Sequence, residues 1–147
     1  MPEQSKVEAR VQRSFKASPE HVFDAWLTTK SLGQWMFGRS VRDEEIVSLT
    51  LDPKVGGSYS FVVRRKGKGV HHIGKYIEID RPRRLMLTWG TMEDGGDTSR
   101  VILDIAPRNG GSDVTLTHEM SAEWADFVKQ SEAAWSKMLD ALARSLS

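Results

Sequence analysis

Residues 121–147 read SAEWADFVKQSEAAWSKMLDALARSLS, and this stretch decides the fold of the chain. Its apolar residues recur three and four positions apart with charged residues between them, which predicts one long amphipathic helix. Ser121 is placed as its N-cap, since a serine hydroxyl can accept from a backbone N–H of the first turn. Such a helix must bury its apolar stripe against the elements that precede it. The stripe consists of Trp124, Phe127, Val128, Ala134, Trp135, Met138, Leu139, Leu142 and Leu146.

Strands are predicted for most of the chain before this helix. Residues 7–15 alternate between apolar and polar side chains, which is typical of a half-buried strand. Six further strands are predicted, separated by turns that contain glycine or proline. They cover residues 46–51, 58–65, 71–80 and 85–91 and the runs around 101–105 and 114–118.

Two short helices are predicted between the first and second strands. Ser18, Pro19 and Glu20 supply a capping hydroxyl, a proline at the first helical position and an acid in the first turn. A second short helix is predicted at about 29–35. Sequential antiparallel strands with helices on one side make an α+β fold. The length of 147 residues predicts a single domain, 1–147, with its core at about 7–146.

The composition narrows the classes of function. The chain has no cysteine, which excludes a disulfide, a thiol nucleophile and a thiolate metal site. Its 21 Lys and Arg against 20 Asp and Glu give a net charge of +1, which predicts no attraction to nucleic acid. The basic runs 64–68 and 81–84 lie at turns and are interpreted as solvated hairpins. No signal-peptide segment and no apolar run of about 20 residues is present, so we expect a cytoplasmic protein.

Several pieces of the chain, taken in order, resemble one known superfamily. They are residues 15–26 (FKASPEHVFDAW), the region of Trp35, 52–57 (DPKVGG), 74–79 (GKYIEI), 82–85 (PRRL), 88–89 (TW), 114–118 (VTLTH) and 134–135 (AW). Together they resemble the START/SRPBCC superfamily of birch-pollen-allergen-like and polyketide-cyclase-like proteins. Within it, the chain is similar to the branch named for the C-terminal domain of the activator of heat-shock protein 90 ATPase. The resemblance implies a helix-grip fold, in which a curved antiparallel sheet wraps around a long C-terminal helix with a cavity between them.

The resemblance leaves three hypotheses for function, because this fold hosts carriers, receptors, cyclases and chaperone regulators. The first is the binding of a small apolar or aromatic molecule in the cavity, without catalysis. The second is an enzyme of the cyclase or dehydratase type that uses His118 as its acid or base. The third is a protein-interaction or chaperone-associated module. The eukaryotic activator has a separate N-terminal client-binding domain, for which we expect no room before residue 7, and this disfavours the third.

The expected ligand-binding residues are aromatic, or lie beside aromatic residues at inward-facing positions. Each also has an ordinary interpretation as part of the core. Trp89 on a strand and Trp135 on the long helix are expected to oppose one another. His118 shares strand parity with Leu116, so we expect it to point inward, either as a satisfied core histidine or as a group that orients a ligand. The full set is Trp35, Tyr59, Phe61, Tyr76, Trp89, His118, Trp135 and Met138.

No metal and no cofactor is predicted. His71 and His72 are neighbours on a strand, so their side chains point to opposite faces and cannot chelate one ion together. The expected partner is a small apolar molecule, with a protein partner as the alternative, and neither nucleic acid binding nor membrane insertion is expected. The chain is expected to be a monomer or a homodimer, since an exposed edge strand could pair two copies.

Overall fold

A computed structural model describes residues 6–39, 41–94 and 96–146. One strand, two short helices, six strands and one long helix follow one another, in the predicted order. The elements are β1 (Lys6–Phe15), α1 (Pro19–Ala25), α2 (Thr29–Trp35), β2 (Glu45–Leu51), β3 (Ser58–Arg65), β4 (Lys68–Asp80), β5 (Arg84–Thr91), β6 (Gly96–Arg108), β7 (Gly111–Ser121) and α3 (Val128–Ser145). Two 3₁₀ helices, Met92–Asp94 and Ala122–Phe127, lie before β6 and before α3.

The seven strands form one curved antiparallel sheet in the order β1-β7-β6-β5-β4-β3-β2. β2 to β7 are a simple meander, because each pairs with the next along the chain. β1 then pairs with β7, so β1 and β2 are the two edge strands. α3 packs against β1 and α2, on the side of the sheet that carries the core. This arrangement confirms the predicted helix-grip α+β fold.

Local sequence signals explain how two of the hairpins turn. The β3–β4 hairpin closes through Lys66 and Gly67, with φ of 50° and 79°. The β6–β7 hairpin closes through Asn109 and Gly110, with φ of 47° and 85°. Positive φ at both central residues is the pattern of the type I′ turn, which matches the twist of antiparallel strands and favours Asn and Gly. These turns set the register between β3 and β4 and between β6 and β7.

The start of α1 follows the predicted capping pattern. The Ser18 hydroxyl accepts a hydrogen bond from the backbone N–H of His21 at 3.3 Å, and Pro19 opens the helix. This satisfies one of the N–H groups that the first turn leaves without a helical partner. α1 and α2 then bury Phe23, Leu32 and Trp35 under the sheet.

The C-terminal helix is long, but its predicted start is wrong. Residues 122–127 form a 3₁₀ helix, α3 begins at Val128, and the Ser121 side chain makes no capping hydrogen bond. Trp124 and Phe127 are three residues apart, the spacing that a 3₁₀ helix places on one face, and their rings are 5.3 Å apart. α3 ends at Ser145. Ser147 of the predicted helix and Gly95, which belongs to one of the predicted glycine-containing turns, lie outside the described residues. Among the described residues, no helix has the length and apolarity needed to cross a membrane.

Candidate functional site

An open cleft lies between the sheet and the N-terminal half of α3. Its volume is about 490 Å³, within the ~300–1,000 Å³ that is usual for small-molecule sites. Strands β3, β5, β6 and β7 supply one wall, and the 3₁₀ helix Ala122–Phe127 with the start of α3 supplies the other. The large apolar side chains in the lining are Trp89, Met120, Trp124 and Phe127.

A second hollow of about 230 Å³ adjoins this cleft on the interior side. The two hollows have Arg65, Trp89, His118, Ser131 and Ala134 in common. The inner hollow is also lined by side chains that are largely buried, which places it deeper than the cleft. These are Phe37, Arg42, His72, Trp135 and Met138.

Aromatic rings form the walls of the inner hollow. The rings of Trp89 and Trp135 are 5.1 Å apart with an angle of 58° between their planes, so strand and helix meet through two indoles. His72 lies 5.3 Å from Trp89 and 5.1 Å from Phe37. Aromatic pairs at such separations stabilise one another beyond the area that they bury. The hollow therefore presents flat apolar surfaces in fixed positions.

His118 joins the sheet to α3 through a chain of hydrogen bonds. The Trp135 indole N–H donates to His118 Nδ1 at 3.1 Å, and His118 Nε2 lies 2.7 Å from the Ser99 hydroxyl. An indole can only donate, so Nδ1 must be the acceptor and the neutral ring carries its proton on Nε2. The Ser99 hydroxyl then donates to the carbonyl of Trp89 at 2.7 Å. The direction of every bond in this chain is thus fixed by one indole.

This network keeps His118 neutral. Burial lowers the pKa of His118 to about 4. Protonation of Nδ1 would also replace the acceptor of the Trp135 N–H by a second donor, so the two N–H groups would repel one another. Both ring nitrogens are engaged in this arrangement, by Trp135 and by Ser99. A general base needs a lone pair within reach of a substrate proton, and here the only unprotonated nitrogen already accepts from Trp135. The geometry suits a residue that positions Trp135 rather than one that transfers protons.

A buried ion cluster forms the floor of the inner hollow. The Glu44 side chain is 0% exposed, and one of its oxygens accepts from Gly38 N at 2.8 Å and from Arg42 Nη1 at 3.1 Å. Its other oxygen accepts from Arg65 Nε, so a single carboxylate is bound by two guanidinium groups. Burial of an isolated carboxylate would be strongly unfavourable, and these three donors offset that penalty. The cluster holds the loop after α2 against β3.

Only the arginines of this cluster line the hollow. The Arg42 and Arg65 side chains keep 23% and 36% of their area exposed, whereas Glu44 lies behind them. Burial lowers the pKa of Arg42, but a guanidinium stays charged at neutral pH. Among the described residues, neither hollow is lined by an acidic side chain.

His72 lies beside this cluster with one nitrogen unsatisfied. Its Nε2 is 3.5 Å from Arg65 Nη2, and because arginine can only donate, Nε2 is the acceptor and Nδ1 carries the proton. That Nδ1 is buried and has no hydrogen-bond partner among the described residues. Burial, reinforced by the positive charge of Arg65, lowers the pKa of His72 to about 4. His72 is therefore neutral at pH 7, and its buried Nδ1–H has no described partner.

The predicted site residues separate into two groups. Four of them, Trp89, His118, Trp135 and Met138, line the inner hollow. The other four, Trp35, Tyr59, Phe61 and Tyr76, pack in the core and line neither hollow.

The core group is held by its own contacts. Trp35 donates its indole N–H to the carbonyl of Ala25 at 3.1 Å, and Tyr59 donates to the carbonyl of Thr88 at 2.6 Å. The rings of Tyr59 and Phe61 are 4.6 Å apart, and burial raises the pKa of Tyr76. These side chains support the wall of the cleft from behind.

Sequence reasoning missed the charged floor. Arg65 belongs to the basic run 64–68 that was interpreted as a solvated hairpin, but its side chain turns inward to Glu44. The alternation of β3 does predict this orientation, because Arg65 has the same strand parity as the inward-facing Phe61 and Val63. Arg64 has the opposite parity and is exposed. Glu44 and Arg42 lie in a loop, where no periodicity marks which side chains are buried.

A model of the family described as Activator of Hsp90 ATPase homolog 1-like protein matches residues 16–147. The chain belongs to this family. Membership in the Activator of Hsp90 ATPase homolog 1-like family confirms the superfamily branch that the sequence resembles. No match was found among curated proteins.

Solved structures of other proteins share the fold. A protein from Rhodobacter sphaeroides has a TM-score of 0.81 and 22% identity, over 95% of this chain and 91% of that one. A Chromobacterium violaceum protein has a TM-score of 0.80 and 23% identity, over 95% and 96%. The Aha1 dimer from Colwellia psychrerythraea, a solution structure, has a TM-score of 0.73 and 20% identity, over 95% and 96%. Identities this low establish a common fold and nothing more specific.

Proposed function

We propose that this protein binds a small apolar or aromatic molecule in the cleft between the sheet and α3. The observation that carries the proposal is a cleft of about 490 Å³ that continues into a hollow walled by Trp89 and Trp135. Family membership supports a helix-grip module in general, and the aromatic lining supports an aromatic or apolar occupant in particular.

Burial supplies enough free energy for such a complex. A ligand that hides about 200 Å² of apolar surface gains roughly 5 kcal/mol at ~25 cal/mol per Å², before the entropic cost of association. The polar groups in the lining would then fix its orientation. His118, with both ring nitrogens engaged, contributes here by holding Trp135 in place.

Titration with N-phenyl-1-naphthylamine, a neutral aromatic dye whose fluorescence rises in apolar surroundings, tests the proposal. We expect saturable one-to-one binding to the wild-type protein. Ala134→Leu should weaken it by about tenfold or more, because Ala134 lines both hollows and a larger side chain fills the space.

Ala133→Leu is the matched control for this change. Ala133 is the neighbouring residue, is exposed and lines neither hollow, so the same substitution there should leave the affinity within about twofold of wild type. The proposal is contradicted if the dye does not bind, or if the two leucine variants lose affinity equally. The first outcome would favour the protein-interaction hypothesis.

A further inference from the structure

The floor of the inner hollow carries one net positive charge. Arg42 and Arg65 each contribute one positive charge, Glu44 contributes one negative charge, and His72 is neutral. Since the described lining holds no acidic side chain, nothing else in the hollow offsets the remaining charge.

The donors of this cluster are only partly used. Arg65 bonds Glu44 through Nε and approaches His72 through Nη2, and no described residue accepts a hydrogen bond from its Nη1. Arg42 donates through Nη1 to Met36 O and to Glu44, and no described residue accepts a hydrogen bond from its Nη2 or Nε. Guanidinium N–H groups of Arg42 and Arg65 that bond no described residue therefore border a space walled by aromatic rings.

We propose that the ligand is an aromatic or apolar carboxylate, whose carboxylate is bound by Arg65 and Arg42 while its apolar body lies in the cleft against Trp89. This inference rests on the proposed function and names the class of ligand for the same cleft. A carboxylate brings one negative charge, which matches the one charge left over in the cluster, and guanidinium groups bind carboxylates through two parallel hydrogen bonds. A phosphate monoester would bring about two charges and leave one unmatched.

The same cluster explains why Glu44 is present. Without it, two guanidinium groups would repel one another at the floor of the hollow. With it, they are held side by side and retain a single positive charge. Glu44 is thus a positioning residue, and the arginines are the groups that touch the ligand.

Competition against bound N-phenyl-1-naphthylamine separates this inference from the proposed function. The competitors are naphthalene-2-carboxylate and naphthalene-2-carboxamide, which have the same shape but differ in charge. At neutral pH the wild-type protein should prefer the acid by about tenfold, the effect of one charge-assisted hydrogen bond pair in a partly buried site. If the amide and the dye bind but the acid binds no better, the inference fails and the proposed function stands. If neither competitor nor the dye binds, both fail.

Substitutions in the ion cluster test whether its residues cause the preference for the acid. Arg65→Met should reduce the preference for the acid to about one, because it removes the remaining positive charge. Arg64→Met is the matched control: it removes the same charge from the neighbouring residue, whose side chain is exposed on the opposite face of β3. It should leave the preference unchanged.

Glu44→Gln should change the preference for the acid in the opposite direction to Arg65→Met. It raises the net charge of the floor, so the preference for the acid should increase. Arg65→Met and Glu44→Gln both disturb the same buried cluster. If the variants acted only through a loss of packing, the preference for the acid would change in the same direction in both. An equal preference in wild type, Arg65→Met and Glu44→Gln overturns the assignment, and if Arg65→Met fails to fold, Glu44→Gln and Arg42→Met decide it.

Discussion

The two halves of α3 differ in the side chains that they turn toward the sheet. In the half that begins at Val128, Ser131 and Ala134 are small and border the cleft. In the half that ends at Ser145, Leu139 and Leu142 are 0% exposed and fill the space down to the sheet. One continuous helix therefore supports a closed core at one end and an open cleft at the other. The small side chains of Ser131 and Ala134, rather than a change in backbone, leave the cleft open beside the buried Trp135.

The closed half should carry most of the stability. Leu142→Ala removes a fully buried side chain and leaves a cavity, so it should lower the free energy of unfolding by about 2–5 kcal/mol. Chemical denaturation measures this, and the affinity for N-phenyl-1-naphthylamine should stay within about twofold in the folded protein. A loss below about 1 kcal/mol would mean that the closed half is not tightly packed.

His118, where the two halves meet, should make stability depend on pH. Its pKa is about 4 in the folded protein and near 6.5 in the unfolded chain, so the unfolded state binds the proton more readily. The stability that neutral His118 provides is complete above about pH 6.5 and is lost as the pH falls toward 4.

Comparison with His118→Gln isolates this contribution. Glutamine can accept from Trp135 and donate to Ser99 without titrating. Between about pH 6 and 4.5, the free energy of unfolding of the wild type should fall about 1.4 kcal/mol per pH unit more steeply than that of the variant. Parallel curves from denaturation at each pH would show that His118 is not held neutral.

Phe127, at the entrance of the cleft, should contribute least to ligand affinity and to stability. Phe127 lines the cleft but is 44% exposed, and its ring contacts Trp124. Phe127→Ala should weaken dye binding by a few-fold, roughly two to five, because little area is lost, and should change stability by less than about 0.5 kcal/mol. A larger loss of affinity than that of Ala134→Leu would place the binding site at the mouth instead of in the interior.

The sequence predicted the fold well because its signals are local and periodic. The alternation in β3 and the Ser18-Pro19 helix start correspond to elements at the expected places. The start of α3 was misplaced because the apolar spacing of Trp124 and Phe127 is compatible with both a 3₁₀ helix and an α-helix.

The candidate site was less predictable because it depends on volume and on charges paired across the chain. Periodicity marks Tyr76 and Trp89 alike as inward-facing, yet only Trp89 reaches the cleft. The ion pair of Glu44 and Arg65 joins a loop to a strand 21 residues away, which no local pattern encodes. These features follow from the spacing between helix and sheet, which only the assembled fold sets.

Chemical-shift mapping tests the central claim most directly. ¹H–¹⁵N spectra recorded during titration with N-phenyl-1-naphthylamine should show saturable shifts at the indole N–H of Trp89 and Trp135 and at the amides of Ser131 and Ala134. The amide of Leu142, in the closed half, should not move. Shifts confined to the exposed edge strand β2, or no saturable shift at all, would contradict a binding site between the sheet and α3.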